Sequence, residues 1–123
     1  MKEHISICGF CDDLYTELQT SGIYVSSSNW EGISNSLIEA LAFGIPTIAT
    51  DCPVGGSRMF IRNMENGILI KTEDEAGLTE AMTKITEDSE FALRLGENAI
   101  AIRTQLSTEK IADEWMQLFE NRS

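Results

Sequence analysis

Two glutamates, Glu31 and Glu39, enclose the part of this sequence best suited to chemistry. Seven residues separate them, and the first five form a polar loop: Gly32, Ile33, Ser34, Asn35 and Ser36. From Leu37 onward, apolar residues recur at i, i+3 and i+4, which predicts one face of a helix. A polar loop that leads into a helix presents free backbone N–H groups and the positive end of the helix dipole. The stretch is therefore suited to bind a phosphate group.

Turn residues mark the elements that must position this stretch. Gly44 and Pro46 end the helix that we predict over 34–43. A short buried strand follows at 46–50, and then a glycine-rich loop over 51–56. Since Glu31 and this loop both follow strands, we expect them at the carboxyl ends of a parallel sheet, where Rossmann-like folds bind their ligands.

Four apolar runs predict the sheet, and helices fill the rest of the chain. The predicted strands are 5–8, 23–27, 46–50 and 68–70. This alternation predicts an α/β fold: a Rossmann-like parallel sheet of about four strands, flanking helices and a helical C-terminal tail, in one domain over 1–123. The tail begins with a capping-box pattern at 72–75. An apolar stripe on its last helix is predicted to be core: Ile111, Trp115, Leu118 and Phe119.

The charge of the chain limits its partners. Twenty Asp and Glu against nine Lys and Arg give a formal net charge of −11. So acidic a chain is poorly suited to bind nucleic acid or an anionic membrane surface.

No apolar run is long enough to span a bilayer, and no signal peptide is recognisable, so we expect a cytoplasmic protein. The three cysteines and the single histidine do not form a four-ligand set, so we expect no metal.

A thioredoxin-like redox domain is one alternative. Cys8 and Cys11 form a C-x-x-C motif between a predicted strand and a predicted helix, which is typical of that class. The chain after Pro46 argues against this alternative, since it predicts a glycine-rich loop, a strand and three helices. A thioredoxin would form a β-hairpin and one helix there.

A receiver domain of two-component signalling is a second alternative. Asp12, Asp13 and Asp51 resemble its acidic pocket, and the length of the chain is suitable. However, Asp12 and Asp13 lie at the start of a predicted helix rather than at the end of a strand. The sequence also shows no fifth strand, which that fold requires.

The motifs around the two glutamates resemble those of one enzyme family. It comprises the retaining glycosyltransferases of the two-domain GT-B fold, family 4, also called glycosyl transferases group 1, and the likeness is to their C-terminal, donor-binding domain. A lone E-x7-E is a weak signal, but five motifs in one register are specific: Glu31-Gly32, Glu39-Ala40, Gly44-x-Pro46, Gly55-Gly56 and Asn66-Gly67. The stretch from Glu31 to Ala40 is most similar to enzymes that build bacterial capsule, lipopolysaccharide or other cell-envelope glycans.

The resemblance implies a role for each residue of the site. Glu31 corresponds to a catalytic glutamate near the donor sugar, and Glu39 to the glutamate that binds the ribose hydroxyls. Gly9 and Phe10 correspond to a turn near the base. The residues implied to hold the diphosphate and the sugar, mainly through backbone amides, are Gly32, Ile33, Ser34, Asn35, Ser36 and Leu37. The implied donor is a nucleotide sugar, a UDP-sugar rather than a GDP-sugar, and no cofactor is implied.

The sequence departs from the family pattern at its beginning. The family's domain starts with two further strand–helix units that carry a basic pair for the diphosphate, and they would lie between strands 5–8 and 23–27. We therefore expect a partial domain whose partner is the N-terminal acceptor domain of the same enzyme. Any contact with the inner face of the plasma membrane would be made through that missing part. The strand at 5–8 would be exposed or swapped between copies, which permits an oligomer.

Two functional predictions follow from the resemblance and this departure. The chain is predicted to be the nucleotide-sugar-binding portion of a glycosyltransferase for cell-envelope or capsular polysaccharide, a hexosyltransferase in its full-length form. The 123 residues alone are predicted to be inactive in sugar transfer. The alternative is a non-catalytic fragment that only binds nucleotide.

Overall fold

A computed structural model describes residues 2–121 and shows strands alternating with helices, followed by helices alone. After a short 3-10 turn (Lys2–His4), the elements are α1 (Leu14–Thr20), β1 (Tyr24–Ser26), α2 (Asn35–Ala42), β2 (Thr47–Thr50), α3 (Gly56–Phe60), β3 (Ile68–Ile70), α4 (Glu75–Glu87), α5 (Ser89–Ala99), α6 (Ile102–Gln105) and α7 (Thr108–Glu120). The α/β class predicted from the sequence is confirmed.

The sheet is parallel throughout, with strand order β1-β2-β3. Tyr24 of β1 is paired with Thr47 of β2, and Ile48 of β2 with Ile68 of β3. All four residues of β2 are buried. This is expected for the central strand of a parallel sheet that is covered on both faces. The carboxyl ends of the three strands therefore meet at one edge.

The sheet has three strands rather than the four that the sequence predicted. Residues 5–8 form no strand, although their apolar pattern is typical of one. Ile5 and Ile7 are 65% and 97% exposed. A parallel strand is stabilised only by hydrogen bonds to a neighbour and by burial of its side chains. Among the described residues this segment has neither a strand partner nor a buried face, so its β propensity is not realised.

Hydrophobic clusters cover both faces of the sheet. The isoleucines of β2 and β3 pack against α4 and α5 on one face: Ile48, Ile68, Ile70, Ala81, Ile85, Phe91 and Leu95. A second cluster packs on the other face, with members from α2, β2, α5 and α6 and the residue after α3: Leu37, Leu41, Ala49, Ile61, Ala99 and Ile102. A third cluster joins α1 to the end of α2 through Leu18, Ala40 and Ile45. The helix that carries Glu39 is thus fixed in the core on its apolar side.

A close backbone approach fixes the turn after α2. Gly44 has a φ of +72°, a conformation that L side chains rarely adopt. A Cβ atom added to Gly96 of α5 would lie 2.2 Å from the carbonyl oxygen of Gly44. Helix α5 can therefore approach this turn only with glycine at position 96.

Two predictions about the helical tail were wrong in part. The single helix predicted over about 89–104 is divided into α5 and α6, since Ala101 donates its amide to the carbonyl of Asn98 rather than to that of Glu97. The stripe predicted as core on α7 is exposed, including Trp115 at 56% and Leu118 at 46%. The amphipathic pattern established that a helix forms, but not which surface its apolar face contacts.

Candidate functional site

Three hydroxyl groups connect the start of α2 to strand β1 by hydrogen bonds. Ser34 has extended backbone and is the N-cap, and its Oγ accepts a hydrogen bond from the amide of Leu37 at 3.4 Å. Ser34 Oγ and Ser36 Oγ are 3.0 Å apart, and Ser36 Oγ is 2.7 Å from the hydroxyl of Tyr24 in β1. The start of α2 is therefore hydrogen-bonded to the neighbouring strand as well as capped. The helix was predicted to begin at residue 34, and the structure has Ser34 as its N-cap.

Some backbone amides at the start of α2 already donate hydrogen bonds within the chain, and others do not. The amide of Leu37 is taken by the cap, and that of Ile38 donates to the carbonyl of Ser34 at 3.2 Å. The side chain of Leu37 is 1% exposed and lies in the core. The amides of Asn35 and Ser36 precede the first intrahelical hydrogen bond and make none among the described residues. These two amides are the donors that the first turn presents to a ligand.

The two glutamates occupy different environments. Glu31 lies in the loop after β1 and is partly buried, and its Oε2 accepts a hydrogen bond from Ser28 Oγ at 3.0 Å. Glu39 lies on the exposed side of α2. Leu37 and Leu41, on the opposite side of the helix, are 1% and 0% exposed. One carboxylate is thus oriented by the protein, while the other projects from the helix into solvent.

The loop after β2 packs directly against the loop that carries Glu31. The buried thiol of Cys52 contacts the backbone carbonyl oxygen of Glu31 at 3.8 Å. A Cβ atom added to Gly56 would lie 1.8 Å from the carbonyl oxygen of Gly32. The motif Gly55-Gly56 was identified from the sequence, but the contact of Cys52 was missed, because a buried cysteine leaves no signal in a single sequence.

An ion pair occupies the outer side of the same loop. Arg58 Nε lies 2.6 Å from Asp51 Oδ1, and both side chains remain substantially exposed. The guanidinium of Arg58 is engaged by Asp51, although its remaining N–H groups still face solvent. The acidic pocket of a receiver domain would require a free Asp51, so this pairing does not support that alternative.

Gly9 and Phe10 lie in an irregular segment before α1. Gly9 has a φ of +66°, and Phe10 is 90% exposed. Cys8 and Cys11 flank them and are both exposed free thiols. The helix that follows begins only at Leu14, so the C-x-x-C motif does not open a helix. This geometry does not support the thioredoxin-like alternative.

A hydrogen bond also connects two loops at the carboxyl edge of the sheet. Asn29 Nδ2 donates to Glu73 Oε1 at 3.4 Å, which links the loop after β1 to the loop after β3. An open cavity of about 490 Å³ lies between these loops and includes Thr50 and Lys71 in its lining. Three loops therefore meet where a ligand of a Rossmann-like fold is expected.

Neither a metal centre nor a membrane span was found in the part of the chain that the structure describes. No three His, Cys, Asp or Glu side chains within residues 2–121 are grouped so that they could hold a metal ion. None of the described helices is both long and apolar enough to cross a bilayer.

Comparison with known proteins relates this geometry to one family. The sequence model of the family described as glycosyl transferases group 1 matches residues 1–102. LpsE of Rhizobium meliloti, a lipopolysaccharide core biosynthesis glycosyltransferase, is 29% identical over 119 residues, which cover 96% of this chain and 34% of LpsE. The chain spans about a third of the length of the curated relatives it matches.

Solved structures show the same fold. Anabaena HepE in complex with UDP superposes with a TM-score of 0.88 at 18% identity, over 98% of this chain and 33% of HepE. A variant of S. aureus TarM, crystallised with UDP, α-GlcNAc-glycerol and fondaparinux, superposes with a TM-score of 0.78 at 28% identity. That match covers 90% of this chain and 22% of TarM. By its family match and its fold, the chain belongs to the glycosyl transferases group 1 family.

Proposed function

We propose that this chain is the nucleotide-sugar-binding portion of a retaining glycosyltransferase of family 4. The observation that carries the proposal is the site at α2. Glu31 lies in the loop before α2, and Glu39 lies within α2. Between them, the amides of Asn35 and Ser36 at the start of the helix make no hydrogen bond among the described residues. The UDP bound in the TarM structure supports a UDP-sugar as the donor rather than a GDP-sugar.

In this proposal the start of α2 binds the diphosphate. The amides of Asn35 and Ser36 donate to its oxygens, and the helix dipole favours its negative charge. Gly32, Ile33 and Ser34 supply the preceding turn of the loop. Leu37, which the resemblance placed among the substrate-binding residues, contributes by seating the helix in the core.

The two carboxylates bind the two ends of the donor. Glu39 accepts hydrogen bonds from the ribose hydroxyls, since a carboxylate can accept from two adjacent hydroxyl groups at once. Glu31 faces the donor sugar as the catalytic glutamate. Transfer would be driven by electrostatic stabilisation of the departing diphosphate at the helix start. Gly9 and Phe10 would border the base.

The wider role that we propose is polysaccharide synthesis at the bacterial cell envelope. The lipopolysaccharide function named for LpsE supports it. Because the chain corresponds to about a third of such relatives, we infer that sugar transfer needs the acceptor-binding part of a longer enzyme. An assay that detects sugar transfer by these 123 residues alone would contradict this inference.

Titration of the isotope-labelled chain with UDP tests the proposed site. We expect the largest amide shifts at Asn35 and Ser36, and weaker binding in Glu39→Gln. Glu80→Gln, an exposed glutamate on α4, is the matched control and should bind UDP as the wild type does. Shifts confined to other surfaces, or no shifts at millimolar UDP, would overturn the proposal. A parallel titration with GDP compares the two bases.

A further inference from the structure

The last residue of β2 reaches across the sheet edge to the loop that carries Glu31. Thr50 is 3% exposed, and its Oγ1 donates to the carbonyl oxygen of Ser28 at 2.5 Å. The carbonyl of Ser26, at the end of β1, lies 3.4 Å from the same hydroxyl. A buried hydroxyl is costly unless it is hydrogen-bonded, so its partner in this loop is strongly preferred.

The same loop residue then contacts the carboxylate. Ser28 Oγ donates to Glu31 Oε2 at 3.0 Å, whereas its carbonyl accepts from Thr50. A hydrogen bond to a carboxylate is stronger than one between neutral groups, so this bond favours one orientation of the Glu31 side chain. The bond uses one carboxylate oxygen and leaves Oε1 of Glu31 for another donor.

The backbone of Glu31 is held by separate contacts. Cys52 Sγ contacts its carbonyl oxygen, and Gly56 packs against the next peptide group, at Gly32. Loss of the Ser28 hydroxyl would therefore leave the backbone at Glu31 in place. It would release the orientation of the carboxylate alone.

We propose that Thr50 and Ser28 are positioning residues for Glu31. Thr50 fixes the peptide of Ser28, and the hydroxyl of Ser28 aims the carboxylate, with Oε1 directed to a hydroxyl group of the donor sugar. The inference rests on the proposed function for its consequence, but the orientation of Glu31 is a property of the free chain.

Side-chain scalar couplings of Glu31, measured by NMR in the unliganded chain, test the positioning directly. We expect one rotamer in the wild type and averaged rotamers in Ser28→Ala and Thr50→Val. Thr50→Ser keeps the hydroxyl and should restore the single rotamer. Ser27→Ala, an exposed serine of the same loop, is the matched control. One unchanged rotamer in both Ser28→Ala and Thr50→Val would overturn the inference. Ser28→Ala alone decides the matter if Thr50→Val fails to fold.

A binding comparison tests the consequence separately from the proposed function. Since Glu31 faces the sugar, Ser28→Ala should weaken binding of UDP-glucose about tenfold and leave binding of UDP unchanged. Equal loss for both ligands would show a merely structural effect and would contradict the inference. If the wild type binds neither ligand, the proposed function fails, while the scalar couplings still decide whether these residues position Glu31.

Discussion

Gly56 shows how one atom decides the geometry of the site. Its missing side chain allows the loop after β2 to approach the peptide of Gly32 more closely than any other residue would permit. The family motif identified Gly55-Gly56 in the sequence, but the reason for the second glycine lies in this contact. The sequence therefore predicted glycine as a motif residue at position 56, but not its contact with the peptide of Gly32.

Substitution Gly56→Ala should destabilise the chain by about 2 kcal/mol, a typical cost of overpacking. The added Cβ would meet a backbone oxygen at 1.8 Å, so one of the two loops must move. Any gain in helix propensity at the first residue of α3 is smaller than this cost. Urea denaturation measures the difference. Gly22→Ala, whose Cβ would meet nothing within 4 Å, is the control, and equal stability of the two variants would contradict the contact.

Asp13 provides a test of pH dependence. Hydrogen bonds from the Thr16 hydroxyl and then from the Thr16 amide stabilise its carboxylate and lower its pKa below the ordinary value. Because the pKa is lower in the folded state, this stabilisation is present above the unfolded pKa, about 3.9. It is lost as the pH falls through the folded pKa. Acidification should therefore loosen the start of α1.

Carboxyl titration of Asp13 by NMR measures this shift. Thr16→Val removes the hydroxyl, which is the larger cause, and should raise the pKa of Asp13 towards its ordinary value. The amide of residue 16 still donates in the variant, so part of the shift should remain. An identical Asp13 titration in the wild type and in Thr16→Val would contradict the assignment.

At the scale of elements, capping residues mark the starts of several helices. Ser34, Asp74 and Ser107 each accept a hydrogen bond from an amide three residues later, at the starts of α2, α4 and α7. The capping-box pattern at 72–75 predicted a helix there. In the structure, Asp74 is the cap of α4 and Glu75 is its first residue. The approximate start of α4 was predictable because capping depends on local chemistry, but the capping-box pattern implied Thr72 as the cap, whereas the structure has Asp74. The strand predicted at 5–8 was wrong because strands depend on a neighbour.

The exposed stripe of α7 can be tested through Trp115. In the variant Trp30→Phe, Trp115 is the remaining tryptophan. At 56% exposure it should emit near the wavelength of free tryptophan amide, and acrylamide should quench it readily. Urea unfolding should change the emission maximum little. A blue-shifted, protected emission would mean instead that the stripe is packed as core, as the sequence pattern predicted.

At the scale of the whole molecule, charge opposes folding. A net charge of −11 on 123 residues creates self-repulsion in the compact state. The described ion pairs, Arg58 with Asp51 and Lys110 with Glu114, are exposed and contribute little. Much of the stability must therefore come from the hydrophobic clusters on the two faces of the sheet.

Added salt should consequently stabilise the chain at neutral pH. Raising NaCl from about 0.01 M to about 0.15 M shortens the screening length from about 30 Å to about 8 Å, which weakens repulsion between distant acidic groups. The urea midpoint should rise with NaCl, and urea is chosen because it is itself uncharged. A midpoint that stays constant or falls would show that local attractive pairs outweigh the net repulsion.

The sequence by itself determined the fold class, the family and the helix start that bears the candidate site. Each depends on local pattern: alternating apolar runs, caps, glycine turns and motifs in register around Glu31 and Glu39. The tertiary structure decided three other matters: that residues 5–8 form no strand, that α7 exposes its stripe, and that Thr50 and Cys52 contact the loop of Glu31. The physical reason is that pairing, burial and contacts between loops depend on residues far apart in sequence, and a single sequence carries no record of which of them meet.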